Sequence, residues 1–164
     1  GDAPVVVSSP DPGGVKRAQL FRETLQATLG RPVGSAFLEK RRSAGTVTGE
    51  LLAGEVEGAT VLVIDDLIST GGTLARAAKA CLEYGADKVF AFAAHGLFVG
   101  DASDVIRQSG LAQTLITDTV RPFKLATDLI GRNVSILSAA SLFADAICCC
   151  EGEGSITELL EGPA

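Results

Sequence analysis

The sequence predicts an α/β fold on a mostly parallel central sheet with helices on both faces, and three observations predict it. Short apolar runs rich in β-branched residues recur along the chain, at residues 5–8, 33–38, 61–64, 88–94, 113–117 and 134–137. Helical periodicities lie between several of them, and strands alternating with helices imply right-handed βαβ crossovers. Residues 61–64, VLVI, have the length and branching of a strand buried on both faces, as parallel strands are.

Each element has its own signal. Residues 5–8 form the first strand, and Val15, Ala18, Phe21, Leu25 and Leu29 mark one face of the helix after it, which Gly30 closes. Residues 33–38 are a second strand. Residues 43–49, rich in Gly, Ser and Thr, read as a flexible excursion, and 51–56 return as a short strand before a turn at Gly58. The strand at 61–64 leads into a helix from about Gly72 to Tyr84 with Gly85 as its C-cap. Residues 88–94 are another strand and 100–109 hold a helix. Two short strands, 113–117 and 134–137, precede a helix over 139–149. No internal repeat or low-complexity linker interrupts this order.

Composition sets further bounds. At 164 residues, 46% hydrophobic and 21% charged, the chain suits one compact domain, residues 1–164. A net charge of −6 argues against nucleic-acid binding, because phosphate-backbone affinity comes from clustered Lys and Arg. The dense basic run is Lys40, Arg41, Arg42. No stretch reaches the ~18 apolar residues of a membrane span and no signal peptide opens the chain, so a cytoplasmic location with no membrane partner is expected. Cys81 and the run Cys148, Cys149, Cys150 lack both CxxC spacing and a disulfide framework, and read as reduced packing residues near helix ends.

The most informative segment is VLVIDDLISTGGT, residues 61–73. Its apolar run ends in Asp65 and Asp66, placing the carboxylates at a strand's C-terminal end, where open α/β sheets bind ligands. Ser69, Thr70, Gly71, Gly72 and Thr73 follow and open an alanine-rich helix. The glycines let backbone N–H groups approach an anion, the hydroxyls add donors, and a phosphate would sit on the helix's positive end. Charge-assisted hydrogen bonds contribute roughly 1.5–3 kcal/mol each, against about 0.3–1 kcal/mol for the helix dipole, so the oriented donors dominate. Two carboxylates beside a phosphate would repel it. They therefore face neutral hydroxyls, such as the vicinal pair of a ribose, or a divalent cation that cancels the repulsion.

Other candidates are ambiguous on physics alone. Asp11, Pro12, Gly13 and Gly14 make a tight turn whatever its purpose. Lys40, Arg41 and Arg42 would by default be a solvated surface run. His95, the lone histidine, stands at a strand end, where structural hydrogen bonding is the commoner role, and is left out of the chemistry. Ser155 and Glu158 read as a helix cap.

The 61–73 segment resembles the ribose-5-phosphate signature of type I phosphoribosyltransferases and of ribose-phosphate pyrophosphokinases, the enzymes that make phosphoribosyl pyrophosphate. SSPDPGGVKRAQLF at 8–21 resembles the pyrophosphate loop of the pyrophosphokinases and the helix that follows it, LEKRRSAGTVTGE at 38–50 their mobile catalytic loop, and AAHGLF at 93–98 a strand end of the same domain. TDTVRPFKL, SILSAASLFADAI and GSITELLEG continue the resemblance, which reaches a type I phosphoribosyltransferase-like fold over nearly the whole chain. Family pyrophosphokinases have two homologous domains, and this chain resembles the C-terminal one; the resemblance implies that the N-terminal ATP-binding domain, with its adenine-holding Arg/Gln pair and metal-binding histidine, is not represented in these 164 residues. Ala94 stands where the family often has a threonine.

The resemblance implies roles by position. Thr70, Gly71, Gly72 and Thr73, with Ser69, would hold the 5-phosphate, and Asp65 and Asp66 the ribose hydroxyls. Asp11, Asp65 and Asp66 would bind Mg²⁺, the N–H groups of Gly13 and Gly14 would face the pyrophosphate, and Lys40 and Arg42 would be catalytic cations. The implied substrates are ribose 5-phosphate and ATP, in an enzyme that assembles as a homo-oligomer through both domains. Apolar surface facing the absent domain would then be exposed. The competing readings are a stand-alone phosphoribosyltransferase, for which no nucleobase-binding insert is evident, and a non-catalytic regulatory homologue.

Overall fold

The computed structural model describes residues 3–43, 46–152 and 154–161, with backbone alone at 39–43, 46–50, 158, 160 and 161. Seven strands, β1 (Val5–Ser9), β2 (Gly34–Ser43), β3 (Thr46–Ala53), β4 (Thr60–Ile68), β5 (Lys88–Gly96), β6 (Gln113–Thr117) and β7 (Val134–Leu137), join in one sheet. Their spatial order is β3-β2-β1-β4-β5-β6-β7. All pairings are parallel except the antiparallel pairing of β2 with β3. The helices are α1 (Val15–Leu29), α2 (Gly72–Glu83), α3 (Ala102–Gln108), α4 (Ala140–Glu151) and α5 (Ile156–Glu161). Among the described residues, no helix is long and apolar enough to cross a membrane.

The sheet buries both faces, as the unbroken apolar runs of β1 and β4 require. On one face α1 packs Ala18, with Phe21 and Leu25 beside it, against Val7, Val33 and Ile64. On the other, Leu74, Ala77, Ala78 and Cys81 of α2 and Ala102 and Ile106 of α3 join Val61, Val63, Val89 and Ala91. Each fully buried Val or Leu contributes about 1.5–3 kcal/mol. Burial also pushes the Cys81 thiol up to about 11, so it packs as an unreactive apolar group. Gly30 ends α1 in the left-handed region at φ 63°, with its N–H donating to Gln26.

Four details differ from the sequence reading. First, β4 runs past Ile64 to Ile68, so Asp65 and Asp66 lie within the strand, not after it. The carboxylates interrupt the apolar run, but Leu67 and Ile68 keep the ladder with His95 and Gly96, and Ile68 is buried. Second, the segment expected to be a flexible excursion is largely ladder. The β2–β3 pairing extends from Phe37 and Ala53 to Ser43 and Thr46, with a register shift at Arg41 and Arg42. Residues 44 and 45 lie outside the described residues. The hairpin pairing makes strand of a segment whose Gly and Ser content suggests a loop, and Thr46, Val47 and Thr48 suit it. Third, the apolar face of α1 is shorter than its periodicity: Val15 and Leu29 are exposed. Fourth, Cys148 and Cys150 are exposed, because α4 contributes no buried residue and Leu142, Phe143 and Ile147 also face solvent.

The turn after β5 anchors the loop that follows β4. Leu97 and Phe98 N–H groups donate to the Ile68 carbonyl at 2.9 and 3.2 Å, and the Val99 N–H donates to Ser69 at 2.9 Å. Phe98 is fully buried at a positive φ of 48°, and a Cβ on Gly96 would lie 2.5 Å from its ring. Phe98 therefore fills a space that only glycine at 96 leaves open. Phe98→Ala should destabilise the fold by about 3–5 kcal/mol in urea unfolding; a loss under about 1 kcal/mol would show that the anchor is dispensable.

Candidate functional site

The sheet order creates one place where neighbouring parallel strands send the chain away in opposite directions. From β1 the chain crosses through α1 to β2, and from β4 through α2 to β5 on the other side. A crevice therefore opens at the carboxyl ends of β1 and β4, the position at which doubly wound sheets bind ligands. The turn after β1 and the carboxylate-bearing end of β4 both face it.

At the end of β1, Ser8 and Ser9 are buried, and the Ser9 hydroxyl donates to the Asp11 carbonyl. Pro12, Gly13 and Gly14 form one turn of 3-10 helix, capped by Asp11, whose Oδ1 accepts from the Gly14 N–H at 3.1 Å. Gly14 is required by space: a Cβ there would lie 2.6 Å from Ser9 Oγ. One carboxylate oxygen of Asp11 is committed to holding the turn, and the Gly14 N–H that the sequence reading assigned to pyrophosphate is spent there too, on that oxygen and on the Asp11 carbonyl at 3.3 Å.

After β4, Ser69 and Thr70 are exposed and Gly71 is buried at φ 77°, in the left-handed region that glycine adopts without strain. Gly71 is the N-cap of α2, and among the described residues no side-chain hydrogen bond caps the helix, which leaves its first N–H groups open to a ligand. That arrangement suits an anion ligand. Thr73 lies in the first turn, and Arg76 Nη2 donates to its hydroxyl at 3.4 Å. Arg76 therefore brings a cation beside the predicted phosphate position. Sequence reading missed it, although one helical turn from Thr73 was a readable spacing.

Asp65 and Asp66 share a third partner that sequence reading also missed. Arg17 of α1 donates through Nη2 to Asp66 Oδ2 at 2.7 Å and through Nη1 to Asp65 Oδ1 at 3.4 Å. The Asp66 N–H donates to the same Asp65 oxygen at 2.8 Å. The Asp65 side chain is 16% exposed, against 61% for Asp66 and 39% for Arg17. Burial pushes the Asp65 carboxyl up to about 6; the Asp66 N–H and the Arg17 charge oppose this, while the Asp66 carboxylate adds to it. Beside Asp65 lies an apolar groove of about 220 Å³ walled by Phe21, Ile64, Phe92, Leu115 and Leu137.

The remaining candidates divide. Lys40 and Arg42 stand on β2 opposite Glu50 and Val47 in the ladder, and their side chains lie outside the described residues. His95 Nδ1 is 2.7 Å from the Thr119 hydroxyl, and the Thr117 hydroxyl donates to the Ala94 carbonyl at 2.6 Å, a structural network joining β5 to β6. Asp118 accepts from the Ala139 N–H and the Ser138 hydroxyl, both at 2.8 Å, which holds its carboxyl below the usual range and ties the β6 end to the start of α4. The structure thus brings the Asp11 to Gly14 turn, Asp65 and Asp66 to one crevice, bridged by Arg17.

A half-buried carboxylate has a cost that pH can expose. Because the Asp65 value is raised in the fold, its stabilising contribution is fully present below 3.8 and is lost as pH rises through about 6. Asp65→Asn keeps an acceptor for the Asp66 N–H without the charge. It should raise the melting temperature by about 2–6 °C near pH 7.5 and lose most of that gain near pH 4.5, by scanning calorimetry. A lower melting temperature near neutrality would mean that the pair with Arg17 outweighs the cost of burial.

Comparisons with known proteins bear on this site. A family model described as the phosphoribosyl synthetase-associated domain matches residues 38–160. The chain is similar to the ribose-phosphate pyrophosphokinase of Vibrio parahaemolyticus, 42% identical over 160 residues that make up 96% of this chain and 48% of that protein. It is 39% identical over 144 residues to the one from Caldanaerobacter subterraneus, covering 87% of this chain and 43% of that protein. The crystal structure of phosphoribosylpyrophosphate synthetase from Mycobacterium smegmatis superposes with a TM-score of 0.78 at 32% identity, over 93% of this chain and 47% of that one. The chain spans about half the length of these relatives. Sequence and fold together place it in the phosphoribosyl pyrophosphate synthetase family, to which this chain belongs.

Proposed function

We propose that this chain is the ribose-5-phosphate-binding, C-terminal domain of a ribose-phosphate pyrophosphokinase, whose N-terminal domain supplies the rest of the ATP site. The observation that carries this reading is the convergence, at one crevice, of the Asp65 and Asp66 carboxylates, the glycine-capped N-terminus of α2 and the Asp11 to Gly14 turn. The α2 N–H groups and the hydroxyls of Ser69, Thr70 and Thr73 hold the 5-phosphate, with Arg76 adding charge. Asp65 and Asp66 accept hydrogen bonds from the ribose hydroxyls, which fixes the sugar with C1 toward the Gly13 and Gly14 turn.

The donor set suits Mg²⁺. Among the described residues no group of three or more His, Cys, Asp or Glu side chains converges, and Asp11 spends an oxygen on its own turn. A carboxylate pair is nevertheless what Mg²⁺ commonly takes from a protein, leaving other positions to phosphates and water. Asp65 and Asp66 would hold it; Asp11, which the sequence reading added to the set, does not converge with them. When bound, the ion supplies positive charge between these carboxylates and the substrate phosphates.

In the complete enzyme the ribose C1 hydroxyl attacks the β-phosphorus of ATP, giving phosphoribosyl pyrophosphate and AMP. The Gly13 N–H receives pyrophosphate oxygens, while the Gly14 N–H stays on Asp11, and Lys40 and Arg42 offset charge on the transferring group. No covalent intermediate is needed; positioning and charge stabilisation supply the acceleration.

Calorimetric titration tests the binding assignment. Ribose 5-phosphate should bind the chain, and replacing Asp65 and Asp66 together by Asn should weaken it at least about tenfold, the worth of one lost charge-assisted bond. Unchanged affinity would refute the assignment. With half of its ATP site elsewhere, the chain alone should release almost no AMP from ATP and ribose 5-phosphate in a coupled assay. Turnover at about 1–100 s⁻¹, as in complete kinases, would show that no second domain is required.

A further inference from the structure

We propose that Arg17 is a cation that changes partners: it neutralises Asp65 and Asp66 while they hold no metal, yields them to a divalent cation, and then serves the phosphate oxygens at the Gly13 and Gly14 turn. The inference rests on the reading of these carboxylates given under the proposed function and goes beyond it, because it assigns a role to a residue of α1 outside the ribose and phosphate loops.

The geometry carries both halves of the exchange. One guanidinium spans the two carboxylates, at 2.7 Å from Asp66 Oδ2 and 3.4 Å from Asp65 Oδ1. These are oxygens that a metal ion would engage, and a divalent cation placed on them would repel a guanidinium within a few ångströms. Metal and Arg17 therefore compete. The same guanidinium already borders the other subsite: a Cβ on Gly14 would lie 3.3 Å from Arg17 Nη1. Arg17 stands in the first turn of α1, directly after the 3-10 turn of Pro12, Gly13 and Gly14. Side-chain rotation alone carries its charge from the carboxylates toward an anion on that turn.

The side chain is free to make this move. It is 39% exposed, and ion pairs exposed to that degree contribute little and break readily. It is also not needed to hold α1 in place, because Ala18, Phe21 and Leu25 already pack that helix on Val7 and Ile64. A purely structural tie between α1 and β4 would have the opposite consequence: removing it would loosen the carboxylates and weaken metal binding.

The sign of the change in metal affinity decides between the two. Mn²⁺ serves as the probe, with free Mn²⁺ counted by electron paramagnetic resonance in titrations of the unsubstituted chain and of Arg17→Gln, Arg17→Lys and the double variant Asp65→Asn with Asp66→Asn. Circular dichroism checks that each variant is folded. Arg17→Gln should bind Mn²⁺ alone roughly three- to tenfold more tightly, while Arg17→Lys should stay near the original affinity. With Mn²⁺ saturating, inorganic pyrophosphate should bind Arg17→Gln more weakly than the unsubstituted chain by a similar factor. Unchanged or weaker Mn²⁺ binding by Arg17→Gln, with binding abolished in the double Asn variant, overturns the exchange and leaves the carboxylate site standing. Pyrophosphate affinity unaffected by Arg17→Gln also overturns it. Mn²⁺ binding that is absent throughout, or indifferent to the double Asn substitution, overturns both the exchange and the carboxylate reading.

Discussion

The parallel ladder between β1 and β4 is the contact on which the rest of this structure depends. Its register, Val5 with Thr60 through Ser8 with Val63, brings the ends of the two strands side by side. Because α1 and α2 carry the chain to opposite sides of this pair, no helix crosses above it and the crevice stays open. Two polar segments more than fifty residues apart, the Asp11 to Gly14 turn and the loop after β4, are delivered to the same opening. Neither would be held there by its own sequence. The turn is positioned by buried Ser8 and Ser9, and the loop by carbonyls of Ile68 and Ser69 bonded to the chain after β5.

The site is stabilised by its surroundings more than by its own parts. Asp65 is mostly buried beside a second carboxylate, and only Arg17 and the Asp66 N–H offset that. Gly71 places α2 on the crevice without a capping side chain, leaving helix N–H groups unmatched by protein side chains. Both choices cost stability, which the hydroxyls, cation or phosphate of the proposed function would return. The stability that carries them comes from the two apolar layers on either side of the sheet, in which Val61, Val63 and Val89 are fully buried. A largely buried carboxylate and a helix end without a side-chain cap sit at the site, while the core is conventional.

Much of this was legible in the sequence. Strands at β1, β6 and β7, the helix α2 and the Gly30 cap follow from β-branched runs, alanine-rich periodicity and a glycine at a helix end, all local signals. The candidate loop after β4 stood out because paired carboxylates directly before a Ser, Thr and Gly cluster have few structural uses. The extent of β4 was not, since Leu67 and Ile68 are strand only through their partners on β5. The β2–β3 hairpin was hidden for the same reason: Gly and Ser between residues 43 and 49 suggest a loop until the antiparallel pairing is seen. The exposure of Leu142, Phe143 and Ile147 was equally invisible, because an apolar helical face does not say what, if anything, covers it.

The sequence by itself determined the fold class and the order of its elements, because these depend on residue types and short spacings. It also carried the family, through motifs in register along nearly the whole chain. Tertiary structure alone decided how the charges are arranged. Arg17 lies forty-eight residues from Asp65 and meets it only because α1 folds back over β4, and the same packing removes Asp65 from water. Charge interactions depend on distance and local dielectric, and neither is defined until the chain has closed on itself.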